Sequence, residues 1–281
     1  MQKLLVLQSL WAMEGLPDAP IKRSLEDDIK RIKGAGFDGI SAMWEDDATC
    51  PTIADVAASH GLVVEGTCIP TSLAEFERAL ERVERHPLHH LNVQLKILPT
   101  RLDDAARLLA QLQHLTKTVS FPVYFETHRG RITNDLLVMV QLLDMVPDTK
   151  LLVDLSHYVV AREIELPIDA VTEQHIATIL HHAWAFHGRI AGSGQIQLPF
   201  SFAHHRPWVE QFTAWWSKGF ADWRSRAADD AELTFVCELG PQPYAISGSD
   251  GRDLSDRWDE SVLLKRIAEA AWQPGVVPKS R

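Results

Sequence analysis

Four short stretches place ionisable side chains at the ends of apolar runs. They are "VYFETHRG" with Glu126, His128 and Arg129, "LLVDLSHY" with Asp154 and His157, "AFHGRIAG" with His187 and Arg189, and "FVCELG" with Glu238. Charges at the end of a buried run are costly unless they are paired or used. Brought together, Glu126, Asp154, His187 and Glu238 make three carboxylates and one imidazole. That donor set suits Mn²⁺ first and also admits Mg²⁺, Co²⁺ or Zn²⁺, whereas thiolate-seeking ions find no partners in it. Without a cation, several anions at one point repel one another and raise a carboxyl pKa. Taken singly, a glutamate such as Glu126 or Glu238 reads more readily as an edge or surface charge; four such residues on successive runs do not.

The elements that must position these residues alternate along the whole chain. Apolar runs at 4–13, 38–44, 63–69, 90–98, 122–128, 150–158, 185–192 and 233–240 are each followed by an amphipathic segment, the pattern of strand then helix. Ser24 with Asp27 resembles a capping box at the start of the first helix, and Gly36 a stop at its end. Eight such units without a Pro/Ser-rich linker predict a single (β/α)8 TIM barrel domain over 1–281. A doubly wound open sheet is less well supported, because no GxGxxG or P-loop stretch occurs. In these barrels the chemistry sits at the C-terminal strand ends, which is where the four stretches fall.

Composition narrows the partners. A net charge of -10 repels phosphate backbones, so no nucleic-acid partner is expected. Cys50, Cys68 and Cys237 are odd in number and lack CxxC spacing, which fits reduced thiols and a cytoplasmic location. The opening "LLVLQSLWAM" is interrupted by Gln8 and Ser9 and reads as a strand rather than a signal peptide. No apolar stretch has the length of a membrane span, so no membrane partner is expected.

The motifs "FETHRG", "DLSHY", "HGRIAGSGQIQLP" and "ELGPQPY", in this order, resemble the xylose isomerase-like TIM barrels, specifically the sugar phosphate isomerase/epimerase superfamily. The resemblance is strongest over about residues 120 to 245; the first half is similar only in its strand and helix pattern. It implies that Glu126, Asp154, His187 and Glu238 bind one divalent ion and that Glu126 and Glu238 act as acid and base. One departure stands out: many members read H-x-K-D on the seventh strand, whereas this chain reads His187-Gly188-Arg189-Ile190. With Arg189 in the ligand slot, only three protein ligands would remain.

Other residues could touch a small carbohydrate. Gln94 and Lys96 alternate with apolar neighbours and are expected to point inward from the fourth strand. Arg189 could polarise a carbonyl or bind an anion, or form a buried ion pair with Glu126 or Asp154. His128, His157 and Gln195 are candidate hydroxyl contacts, and Trp11 a stacking face or core filler. Trp44 reads the same way as Trp11. His89, His90, His181, His182, His204 and His205 read as surface or packing residues. Trp208, Trp215, Trp216 and Trp223 suggest packing or a subunit contact, which leaves a homo-oligomer open.

The expected function is a metal-dependent sugar isomerase or epimerase that removes a proton beside a carbonyl through a metal-stabilised enediolate. A lyase acting on keto-glycosides by β-elimination is the alternative, since the same acidified carbon can expel an oxygen substituent. An endonuclease IV-like repair enzyme fits less well, because it needs more metal ligands and a basic face. A barrel that only binds sugar is the non-enzymatic reading.

Overall fold

The computed structural model describes residues 1–16 and 23–273. Its strands are β1 (Lys3–Ser9), β2 (Gly39–Met43), β3 (Val63–Cys68), β4 (His90–Val93), β5 (Val123–Glu126), β6 (Leu151–Val153), β7 (Ala183–Gly188) and β8 (Glu232–Cys237). The helices between and after them are α1 (Leu25–Gly34), α2 (Cys50–Ser59), α3 (Leu73–Arg85), α4 (Leu102–Thr116), α5 (Leu136–Met145), α6 (Ser156–Ala161), α7 (Ala170–His181), α8 (Arg206–Arg226) and α9 (Arg257–Trp272). Each strand pairs in parallel with the next, and β8 returns to β1, so the sheet closes as the expected (β/α)8 barrel.

Local sequence explains the element ends. The Ser24 hydroxyl accepts from the Asp27 amide while the Asp27 carboxylate accepts from the Ser24 amide, so both free donors at the start of α1 are satisfied. Gly36 follows at φ +77, a left-handed conformation that glycine adopts without a Cβ penalty. On α3, Phe76, Ala79, Leu80 and Val83 recur at helical spacing and are the buried face.

The tryptophan-rich helix is explained by packing. Trp215, Trp216 and Trp223 of α8 are buried, and Trp216 meets Phe235 of β8 edge-on at 5.0 Å. Gly219 permits this closeness: a Cβ there would stand 2.7 Å from Phe186 of β7. Gly188 does the same on β7, where a Cβ would sit 2.2 Å from Phe235. Packing therefore accounts for these aromatic side chains without a subunit contact.

Two boundaries differ from the sequence expectation and move site residues. β4 ends at Val93, not near 98, so period-two alternation reaches Gln94 but not Lys96. α6 begins at Ser156, which puts His157 on a helix rather than on a strand. Among the described residues no helix is long and apolar enough to cross a membrane. Cys50, Cys68 and Cys237 are all free and buried.

Candidate active site at the barrel mouth

Inside the barrel a small apolar plug of Tyr124, Leu152 and Ala185 lies below a polar layer. Each of these three belongs to a strand whose residue two positions on is Glu126, Asp154 or His187, which strand alternation puts on the same inner face. All three of those polar residues are buried. Glu238 follows β8 directly and lines the mouth cavity above, which has a volume of about 550 Å³.

Three of the four expected ligands converge. Ligand atoms of Glu126, His187 and Glu238 lie within 4.8 Å of one another. Glu126 is oriented by two amides: Asn92 Nδ2 at 2.5 Å and Gln94 Nε2 at 3.0 Å both donate to Oε2, leaving Oε1 buried and without a partner. His187 Nε2 lies 2.8 Å from Glu65 Oε1, so that partner fixes the ring with Nδ1 toward Glu238 Oε2 at 3.2 Å and Glu126 Oε2 at 3.8 Å.

Asp154 stands apart from this group. Its Oδ1 accepts from the Ser156 amide at 2.8 Å, and its Oδ2 lies 3.6 Å from His157 Nε2 and 3.9 Å from Arg189 Nη1. Arg189 supplies the reason. Its Nη2 bonds the Glu238 carboxylate, its Nε donates to the Glu238 carbonyl at 2.9 Å, and its guanidinium lies over the Tyr244 ring at 4.6 Å. The buried pair thus forms principally with Glu238, not with Glu126 or Asp154.

These contacts separate the two catalytic candidates. Burial raises the Glu126 carboxyl to about 7, partly offset by His187 and reinforced by Glu238. Burial acts in the same direction on Glu238, but Arg189 and then His187 outweigh it and hold that carboxyl below the usual range. Burial disfavours a charged His187, yet Glu65, Glu238 and Glu126 together push its pKa well up. Without a metal, Glu126 therefore titrates near neutrality while Glu238 is ionised there.

The residues fit a divalent ion. Glu126 Oε1 and Asp154 Oδ2 are buried acceptor atoms without hydrogen-bond partners, and His187 Nδ1 faces the Glu238 carboxylate beside them. Such orphans are rare in folded chains unless water or an ion completes them. The Glu65 carboxylate behind His187 matches the habit of metal-bound imidazoles, whose far nitrogen donates to a carboxylate.

The remaining expected residues divide. His128 and Trp11 line the cavity. His157 is fully buried beneath it, its ring 3.8 Å from that of His128 and both its nitrogens without partners. Burial, then neighbouring positive charge, holds His157 well below the ordinary histidine range. Lys96 is exposed, contrary to the inward expectation, because β4 has ended before it. Gln195 is also exposed, in a tight turn where it bridges Gly192. Trp44 is wholly buried and fills the core.

Sequence reading passed over several residues that the structure brings to the site. Glu65 of β3 holds His187 and, through Oε2 at 2.7 Å, His90 of β4. His90 is therefore part of a buried network and not a surface residue; its Nδ1 meets His89 Nδ1 at 2.9 Å. Their signal was present: Glu65 and Thr67, like His90, Asn92 and Gln94, are polar at every second position. Buried Arg257 braces the mouth by donating to the carbonyls of Ala12 at 2.7 Å and Glu14 at 2.6 Å while its Nε meets Asp253 at 2.6 Å.

Comparison with protein-family models and with curated sequences finds no match. Solved structures are similar across nearly the whole chain. A D-tagatose 3-epimerase-like protein aligns with TM-score 0.58 at 11% identity, covering 95% of this chain and 98% of its own. A xylose isomerase-like TIM barrel protein from Mycobacterium smegmatis in complex with magnesium gives 0.56 at 12%, covering 96% and 98%. The probable 3-DHS dehydratase involved in petrobactin synthesis from Bacillus anthracis gives 0.53 at 10%, covering 98% and 100%. The neighbours include xylose isomerase-like TIM barrels, and at these identities the likeness establishes the fold.

Proposed function

We propose that the chain is a divalent-metal-dependent isomerase or epimerase of a small carbohydrate, moving a proton on a carbon next to a carbonyl. The observation that carries this reading is the convergence of Glu126, His187 and Glu238, with Glu126 Oε1 buried and unsatisfied and His187 Nδ1 facing the Glu238 carboxylate. Glu126, His187 and Glu238 would hold the ion, with Asp154 as the fourth ligand once its Oδ2 is drawn from Arg189. When bound, Mn²⁺ or a similar ion lowers the cost of negative charge on a substrate oxygen.

The protein's own groups do the rest. The ionised Glu238 would take the proton; Glu126 would return one in its protonated form, the ion then resting on His187, Glu238 and Asp154. Return to the other face of the same carbon epimerises; return to the neighbouring carbon isomerises. Neutral His128, which lines the cavity, can bond a hydroxyl, while Trp11 and Leu10 wall off water on the opposite side. Magnesium in one neighbour and the likeness to a D-tagatose 3-epimerase-like protein support this reading.

Incubation of the Mn²⁺-loaded protein with ketoses in D₂O tests it. Deuterium entering a sugar carbon beside the carbonyl supports the proposal; absence of exchange across a broad ketose panel opposes it. A lyase reading is kept because the dehydratase neighbour removes water with a similar fold. That alternative predicts loss of an oxygen substituent in place of simple exchange.

A further inference from the structure

Of the two arginines that line the cavity, Arg189 pairs with Glu238, whereas Arg131 has no carboxylate within 4.0 Å among the described residues. Elsewhere the part-buried Arg82 and Arg226 and the buried Arg257 also meet a carboxylate within 4.0 Å, at Asp47, Asp222 and Asp253. Arg131 is half-buried on the rim of the cavity, and its protein bonds go to neutral acceptors, Gln94 Oε1 at 2.9 Å and the Gly130 carbonyl at 3.2 Å. Its Nε is shielded from solvent and has no partner. A guanidinium has five N–H donors, so most of this fork is uncommitted. Burial lowers its pKa, only partly offset by the more distant Glu126.

Gln94 ties this arginine to the candidate metal centre. One amide accepts from Arg131 Nη2 and donates to Glu126 Oε2, so the two charged groups are separated by a single side-chain amide. With ordinary amide dimensions the separation is at most about 8 Å, the length of a six-carbon sugar acid. The β1 and β2 side of the cavity, Leu10, Trp11 and Met43 with the hydroxyls of Ser9 and Ser41, carries no cation.

We infer that Arg131 is a specificity-determining residue that docks a carboxylate of the substrate, so that the carbohydrate handled here is a sugar acid rather than a neutral sugar. This rests on the reading of the mouth as a metal-dependent carbohydrate site. The planar fork pairs two N–H groups with the two oxygens of a carboxylate. A phosphate ester is the less suitable anion: among the arginines lining the cavity Arg189 is taken by Glu238, which leaves Arg131, and Arg129 lies over Tyr244 at 4.9 Å outside that lining.

The test is calorimetric binding to the Mn²⁺-loaded full chain of three matched probes: D-fructose, 5-keto-D-gluconate and D-fructose 6-phosphate. Expected is at least a roughly tenfold preference for the keto acid over fructose. In Arg131→Gln that preference falls to about unity, and Arg131→Lys retains part of it, with Mn²⁺ uptake by each variant reporting an intact mouth. Fructose binding as tightly as the keto acid to the unaltered protein overturns the inference while leaving the proposed function standing. The phosphate ester binding tightest also overturns it. If the protein takes up no metal and none of the probes, both readings fall. The comparison among probes on the unaltered chain decides the matter even if the variants fail to fold.

Discussion

His187 and Glu65 are in hydrogen-bond contact at 2.8 Å through Nε2 and Oε1, and this contact decides which imidazole nitrogen faces the mouth. Nδ1 is left among Glu126 and Glu238, where a ligand atom is needed. Glu65 is a positioning residue, because it acts through His187. Glu65→Gln should weaken Mn²⁺ binding by about 10- to 100-fold with little change in fold. Titration calorimetry checks this, and Glu65→Asp should restore part of the affinity. Unchanged affinity would show that the ring is held without Glu65.

Metal binding should depend on pH with a defined sign. Burial raises the Glu126 carboxyl from an ordinary 4.5 to about 7. Its contribution to stability is therefore complete below the ordinary value and lost as pH rises through about 7. An ion that replaces the proton restores what is lost. The rise in melting temperature on adding Mn²⁺ should thus be larger at pH 8 than at pH 6. Apparent affinity should fall as the solution is acidified below about 7. Glu238 contributes the opposite way: its lowered pKa supports stability above the ordinary carboxyl range and is lost only in strong acid.

The two glutamates should be separable by exchange. Glu238→Gln removes the proposed base and should lower solvent deuterium incorporation by about 10²- to 10⁴-fold. Glu126→Gln should abolish return of the proton to a similar degree. It should also weaken the ion, because Oε1 is one of its expected donors. Mass spectrometry of recovered sugar, with metal content measured alongside, distinguishes loss of proton transfer from loss of the ion.

The mouth should also respond to its brace. Arg257→Met removes one partner of a buried ion pair and strands the carbonyls of Ala12 and Glu14. A loss of about 3 kcal/mol in unfolding free energy is expected. Gly240→Ala should disturb the same wall, since a Cβ there would meet the Trp11 ring at 2.0 Å. Denaturant unfolding and Trp fluorescence report the two effects.

Most of the barrel is legible in the sequence, because each strand had to be apolar and each helix amphipathic to fill its place. The capping pair Ser24 and Asp27 and the stop at Gly36 are equally local. Positions at the strand ends follow from alternation, which places Glu126 and His187 on the inner face. What could not be read is where a long side chain goes after the strand stops. Lys96 leaves the barrel because β4 is four residues long. Arg189 claims Glu238 and lies toward Asp154 through contacts between residues 35 or more positions apart, which no local pattern records. Arg131 follows the strand in an irregular turn, without periodicity to announce that Gln94 would hold it. Glu65 was within reach, since a glutamate at an inward position of a buried strand demands a partner.

The most direct measurement is anomalous diffraction from crystals of the protein loaded with Mn²⁺. One ion bonded to Glu126, His187 Nδ1 and Glu238, with Asp154 turned to join it, is the expected result. An ion bound elsewhere, or a mouth in which Arg189 keeps Glu238 and no metal enters at saturating Mn²⁺, would contradict the metal-dependent mechanism.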